Sequence, residues 1–154
     1  MTISGGCNCR AVRFEVTSAP LFTHVCHCHQ CQRESGGAFH VSTVVIGADF
    51  RITSDLVDIN TVTRPSGKQY RVYECQKCAC TLAGHPLESD ALMVVRPSTF
   101  DDTSLIEPQA HIWVREKQDW VILPKHVPAF SENYDAEELW PQESLARMRA
   151  ALAR

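Results

Sequence analysis

Apolar and polar residues alternate along much of the chain. Val12, Phe14 and Val16 interleave with Arg13 and Glu15, the period-two pattern of a strand with one buried face. Further strands are predicted over 21–26, 40–46, 57–63, 69–73, 92–95 and 111–114, all rich in Val, Ile, Thr, Tyr and Phe. Turn residues separate them: Ser18-Ala19-Pro20, Gly36-Gly37, Pro65-Ser66-Gly67 and Pro97-Ser98. Short strands at this rhythm predict an all-β domain of packed antiparallel sheets. Helix is scarce. Residues 29–35 suit one or two turns before Gly36 stops them. In the tail, Ser144 is a candidate cap for a helix in which Leu145, Met148 and Leu152 share a face, with Pro141 just outside it. The division expected is a β domain over 1–135 and a helical tail over 136–154, either packed or projecting.

The length of 154 residues suits one domain. With 44% hydrophobic and 21% charged residues, the chain can bury a core without covalent staples. Lys and Arg number 15 against 18 Asp and Glu, a net charge of −3, and no basic run occurs. That balance argues against nucleic-acid phosphates or anionic lipid as partners. The first residues lack the basic and apolar segments of a secretory signal. No stretch approaches the ~18 apolar residues of a membrane span. The compartment expected is the cytoplasm, where clustered cysteines more often hold metal than disulfides.

The cysteines change the picture most. Cys7-Asn8-Cys9 is a C-x-C motif, and Cys75-Gln76-Lys77-Cys78 is a C-x-x-C motif. Each can chelate one ion, and two such pairs complete the tetrahedral four-thiolate cage of a structural zinc. Cys26-His27-Cys28-His29-Gln30-Cys31 differs, because three thiols on one loop can face a single ion and leave its fourth position open, as catalytic zinc sites do. His27 and His29 lie inside this run and are alternative ligands. Disulfides, an iron–sulfur cluster and inert buried thiols are the competing readings. The first needs an oxidising compartment, the second lacks a ferredoxin run, and the third does not explain three short motifs together. Cys80 stands outside the motifs, as a small buried side chain, a further ligand or a reactive thiol.

These motifs resemble those of the glutathione-dependent formaldehyde-activating enzyme family, which includes centromere protein V. The resemblance begins with Gly6-Cys7-x-Cys9 leading into Ala11-Val12-Arg13-Phe14. It continues through Cys26-His27-Cys28-x-x-Cys31-x-Arg33-x-x-Gly36-x-Ala38-Phe39 and Tyr73-x-Cys75-x-x-Cys78. It closes with Pro108-x-Ala110-His111-Ile112-Trp113, Trp120 and Pro128-Ala129-Phe130. It covers roughly residues 4–130. It implies a β-tent-like fold, a structural zinc on Cys7, Cys9, Cys75 and Cys78, and an open zinc on Cys26, Cys28 and Cys31, two ions per chain. One residue departs from the family pattern: Ala79 stands where Gly usually follows the second knuckle, so the turn there is expected to be strained or altered.

The resemblance also implies a carbon–sulfur lyase that joins formaldehyde to glutathione as S-(hydroxymethyl)glutathione, or reverses that step. A substrate thiol reaching the open position would lose its proton to the metal's charge and stand as an oriented nucleophile beside an aldehyde. An imidazole would protonate the resulting alkoxide: His27 and His29 are nearest, with His24, His40 and His111 as further candidates. Glutathione carries two carboxylates, so cations should line the site. Arg33 is the first candidate, and Arg13, Lys68, Arg71, Arg96 and Arg115 are others. Two alternative functions are a zinc-stabilised binding module without catalysis and a redox enzyme of the methionine sulfoxide reductase type, for which Cys80 would be the reactive thiol. The partner expected is a small-molecule thiol or thiol adduct.

Overall fold

The computed structural model describes residues 2–64 and 67–153, which leaves Pro65 and Ser66 of one expected turn outside the described residues. The described residues form two sheets. Strands β1 (Ile3–Gly6), β2 (Arg13–Val16) and β5 (Phe50–Ile52) make a small antiparallel sheet in the order β1-β2-β5. The larger sheet has seven strands. In spatial order they are β10 (Ala110–Ile112), β3 (Phe22–Cys26), β4 (His40–Ile46), β9 (Leu92–Val95), β8 (Thr81–Pro86), β7 (Gln69–Cys75) and β6 (Val57–Thr63). The mostly β architecture with a C-terminal helix agrees with the sequence pattern.

The core explains why the second half of β4, Val44-Val45-Ile46, shows no polar alternation. Val45 points into a cluster with Ile3, Phe14 and Val16 of the small sheet and Leu82, Met93 and Val95 of the large one. Its neighbours Val44 and Ile46 point the other way, into a cluster with Leu21, Phe22, Trp140 and Leu145. A strand buried on both faces has no polar alternation to show.

Four expectations need correction. The large sheet is not wholly antiparallel, because β10 pairs with β3 in parallel, Ala110 opposite His24 and Ile112 opposite Cys26. The long connection after β9 supplies the crossover that a parallel neighbour requires. The strand expected over 111–114 stops at Ile112, since Trp113 turns into the left-handed region at φ 57°. A single helical turn, α2 (Ala136–Leu139), precedes the tail helix, α3 (Gln142–Leu152), which starts after Pro141 and is not capped by Ser144. Ser144 instead donates its hydroxyl to Leu21 O at 2.7 Å and ties the helix to the sheet. Leu145, Met148 and Ala151 pack on the second cluster, whereas Leu152 is 56% exposed.

Helix α1 (His29–Ser35) is short because both ends are fixed. Cys28 caps it, its sulfur accepting from Cys31 N at 3.4 Å, and Gly36 ends it with φ 66°. A left-handed residue after a helix is a position that glycine fills without Cβ strain.

Candidate metal centres and the cleft beside them

Two tight turns bring the first cysteine group together. After β1, Arg10 N donates to Cys7 O at 2.9 Å and Cys7 N to Val12 O at 3.0 Å. After β7, Ala79 N donates to Cys75 O at 2.9 Å and Cys75 N to Cys80 O at 3.0 Å. Arg10 at φ 62° and Ala79 at φ 54° occupy left-handed positions in the two turns. The sulfurs of Cys7, Cys9, Cys75 and Cys78 all lie within 4.8 Å of one another, with Cys7 Sγ 3.5 Å from Cys9 Sγ and Cys9 Sγ 3.7 Å from Cys75 Sγ. A disulfide needs about 2.05 Å. A tetrahedron with zinc–sulfur bonds of about 2.3 Å has edges of about 3.8 Å, so these spacings suit an ion at the centre. Val12 N and Lys77 N donate to the sulfurs of Cys7 and Cys75 at 3.3 Å and 3.4 Å, the partners a thiolate needs.

The second group grows from the end of β3. Cys26 closes the strand, Cys28 caps α1 and Cys31 lies in its first turn. Their three sulfurs also lie within 4.8 Å of one another, and among the described residues no fourth His, Cys, Asp or Glu completes the group. Gln32 fastens the loop by donating its amide to His27 O at 2.6 Å and to Glu116 O at 2.9 Å. The side chain of Glu116 in turn accepts from His29 N at 2.7 Å. Mutual hydrogen bonding splits the thiols. Cys28 is pulled down to about 2 by bonds from Cys26 and Cys31, and Cys26 is pushed up to about 12 by its bond to Cys28. Cys31 is pushed far above the ordinary thiol range by Cys26 and Cys28. Three sulfurs this close share one negative charge comfortably, and a cation is what would let all three ionise.

The glutathione-dependent formaldehyde-activating enzyme family matches residues 2–116. The chain belongs to that family. A Halomonas elongata protein named "Putative glutathione-dependent formaldehyde-activating enzyme" is 27% identical over 161 aligned positions, which span 99% of this chain and 97% of that one. A crystal structure of a Rhodobacter sphaeroides protein shares the fold with a TM-score of 0.50 at 15% identity, covering 68% of this chain and 91% of that chain.

In this formaldehyde-activating family member the three-sulfur group opens into a cleft of about 830 Å³. His24, His29, His40, Arg33, Lys68, Arg96 and Arg115 line it with the three cysteines. The side chain of His29 is 62% exposed and its Nδ1 lies 3.5 Å from Glu116 Oε2. His24 bonds Tyr134 Oη through Nδ1 at 3.0 Å, and burial lowers both it and His40 to about 4. His27 is wholly buried: its Nε2 lies 3.0 Å from His111 Nδ1 and its ring meets Phe39 edge-on. Neither His27 nor His111 is among the residues lining the cleft. Arg13 is engaged with Asp101 at 2.9 Å, and neither it nor Arg71 reaches the cleft wall.

The structure also brings in residues that the sequence did not single out. Glu34 of α1 and Arg64 beyond β6 pair across the cleft, and Tyr70 and Glu116 join its wall. Arg64 carries no local signal, since a charged residue beside a Pro-Ser-Gly turn reads as solvated. Cys80 lies outside both sulfur groups, packed against the first core cluster, with its thiol pushed up by burial. Ala79 keeps the knuckle turn with its positive φ, so the departure from the family's glycine leaves the turn intact and strained.

Proposed function

We propose that the chain is a zinc-dependent carbon–sulfur lyase that makes or breaks the adduct of a small thiol with an aldehyde, glutathione with formaldehyde being the pair. Family membership supports the substrate class. One observation carries the reading: the sulfurs of Cys26, Cys28 and Cys31 converge at the wall of a cleft, while the other four close on one another. In this reading Cys7, Cys9, Cys75 and Cys78 hold a structural zinc and Cys26, Cys28 and Cys31 an open one, two ions per chain.

Zinc in the open group would supply the positive charge that favours a thiolate at neutral pH. The chain's own residues do the rest. The cleft holds thiol and aldehyde together, which converts a bimolecular encounter into an oriented one. The bond forms between the thiol sulfur and the carbonyl carbon, and the carbonyl oxygen takes up the proton that the thiol gave up. The reverse step returns both molecules, with no oxidant or further reactant. His29, the motif imidazole that lines the cleft, carries that proton with Glu116 orienting its ring. His27, buried against His111, serves to position the loop. Arg33 faces the cleft from α1 and attracts an anionic substrate. No described helix is long and apolar enough to cross a membrane, and a cytoplasmic location suits reduced thiols.

The test is the rate of S-(hydroxymethyl)glutathione formation and breakdown against the spontaneous rate. The native protein should exceed background and Cys28→Ser should not. A protein carrying two zinc ions that leaves the rate at background would instead be a zinc-stabilised binding module.

A further inference from the structure

The cleft contains a guanidinium whose donors are largely unused. The side chain of Arg96 is only 18% exposed. Among the described residues its one charged partner is Glu34, whose Oε2 lies 3.9 Å from Nη2, too far for a good hydrogen bond. A guanidinium has five N–H donors, and none of those of Arg96 is among the buried unpartnered atoms of the described residues, so its free donors remain open to the cleft. Arg64, on the opposite wall, pairs with Oε1 of the same carboxylate and lies over the Tyr70 ring at 5.2 Å. Gln30 also donates to that oxygen, at 2.7 Å. Glu34 is therefore a single carboxylate facing two guanidiniums, which leaves one positive charge in excess.

The position of this group matters as much as its charge. Glu34 stands three residues beyond Cys31 on α1, one helical turn along the same face. His40 sits directly across from Cys26 in the β3–β4 register, and its buried Nε2 has no hydrogen-bond partner among the described residues. Arg96, Glu34, Arg64 and His40 line the same cleft as the three cysteines.

We infer that Arg64 and Arg96 form a carboxylate-binding subsite of the thiol cleft, and that Glu34 fills it as an internal stand-in when no substrate is bound. This rests on the lyase reading for the identity of the thiol, but the subsite itself concerns only an anionic ligand. An acidic thiol displaces the Glu34 carboxylate from the two arginines and meets Arg96 at hydrogen-bonding distance. A neutral thiol gains nothing there. Selection for acidic thiols thus comes from replacing one carboxylate by another rather than from burying an unpaired cation.

Calorimetric titration with S-methylglutathione, which keeps both carboxylates but has no free thiol, reads the subsite without the reaction. The control is its diester, which loses both carboxylates and keeps the ammonium. Arg96→Gln and, independently, Arg64→Gln should each weaken S-methylglutathione by about tenfold, the size of one charge-assisted hydrogen bond, and should not weaken the cationic diester. Glu34→Gln should tighten S-methylglutathione several-fold, because the competing carboxylate is gone. A merely structural ion pair would give the opposite sign. Weaker or unchanged binding in Glu34→Gln overturns the stand-in role. Equal losses for the acid and the diester in both arginine variants overturn the subsite. Carboxylate-dependent binding in a protein without lyase activity would refute the proposed reaction and leave the subsite standing. Lyase activity with equal affinity for acid and diester would do the reverse.

Discussion

Cys9 Sγ lies 3.7 Å from Cys75 Sγ although 66 residues separate them along the chain. The first belongs to the turn after β1 of the small sheet and the second ends β7 of the large one. A metal held there joins the two sheets at the edge of their shared core, where Cys7 and Cys75 are themselves buried. Its binding free energy is then folding free energy. Cys75→Ser should cost upwards of about 5 kcal/mol, comparable to the whole stability of a domain, and leave little folded protein. Cys28→Ser loosens a single loop between β3 and α1 and should leave a cooperative melt. Thermal unfolding of both variants decides this, and equal losses would mean that the second group is structural too.

Ala79 gives a prediction of opposite sign. Its φ of 54° places a Cβ in the left-handed region inside the second knuckle. Ala79→Gly should stabilise the metal-loaded protein by up to about 1 kcal/mol, seen as a higher melting temperature. A lower melting temperature would show that the turn carries no such strain.

Tyr134 supplies a pH dependence. Burial pushes its phenol up to about 12, above the unfolded value of about 10. Between those values the unfolded chain gives up a proton that the folded chain keeps, so this group's contribution is complete below pH 10 and falls as pH rises through 12. Tyr134 Oη also bonds His24 Nδ1 at 3.0 Å. Tyr134→Phe should cost about 1 kcal/mol at neutral pH. The gap between variant and native protein should narrow from pH 10 upward in urea titrations. A constant gap would show that the phenol ionises as freely when folded.

Much of this arrangement is legible in the sequence where the signal is local. The runs at 40–46, 57–63 and 92–95 match β4, β6 and β9 to the residue, because β-branched residues fill each of them. β1, β5 and β8 escape the same pattern. β1 ends in two glycines, β5 has three residues, and β8 contains Gly84 and Pro86 and is buried across its middle on both faces. The parallel pairing of β10 depends on where a long connection lands, which no local pattern encodes. The cysteine motifs declare their chelating reach by spacing alone. The meeting of Cys9 with Cys75, and of Glu34 with Arg64 and Arg96, arises only from the fold. Charged side chains at a hairpin tip look solvated until a helix packs opposite them.

Lyase chemistry at this cleft requires a sulfur group that leaves room for a substrate thiol. The most direct measurement is the absorption spectrum of the cobalt-substituted protein during titration with glutathione. Cobalt should occupy two sites per chain, and glutathione should add sulfur-to-cobalt charge transfer at one of them, because thiolate ligation contributes a band that water does not. Cys28→Ser should abolish that change while Cys80→Ser keeps it. A cobalt spectrum that neither glutathione nor any other small thiol perturbs would contradict the open site and, with it, the lyase reading.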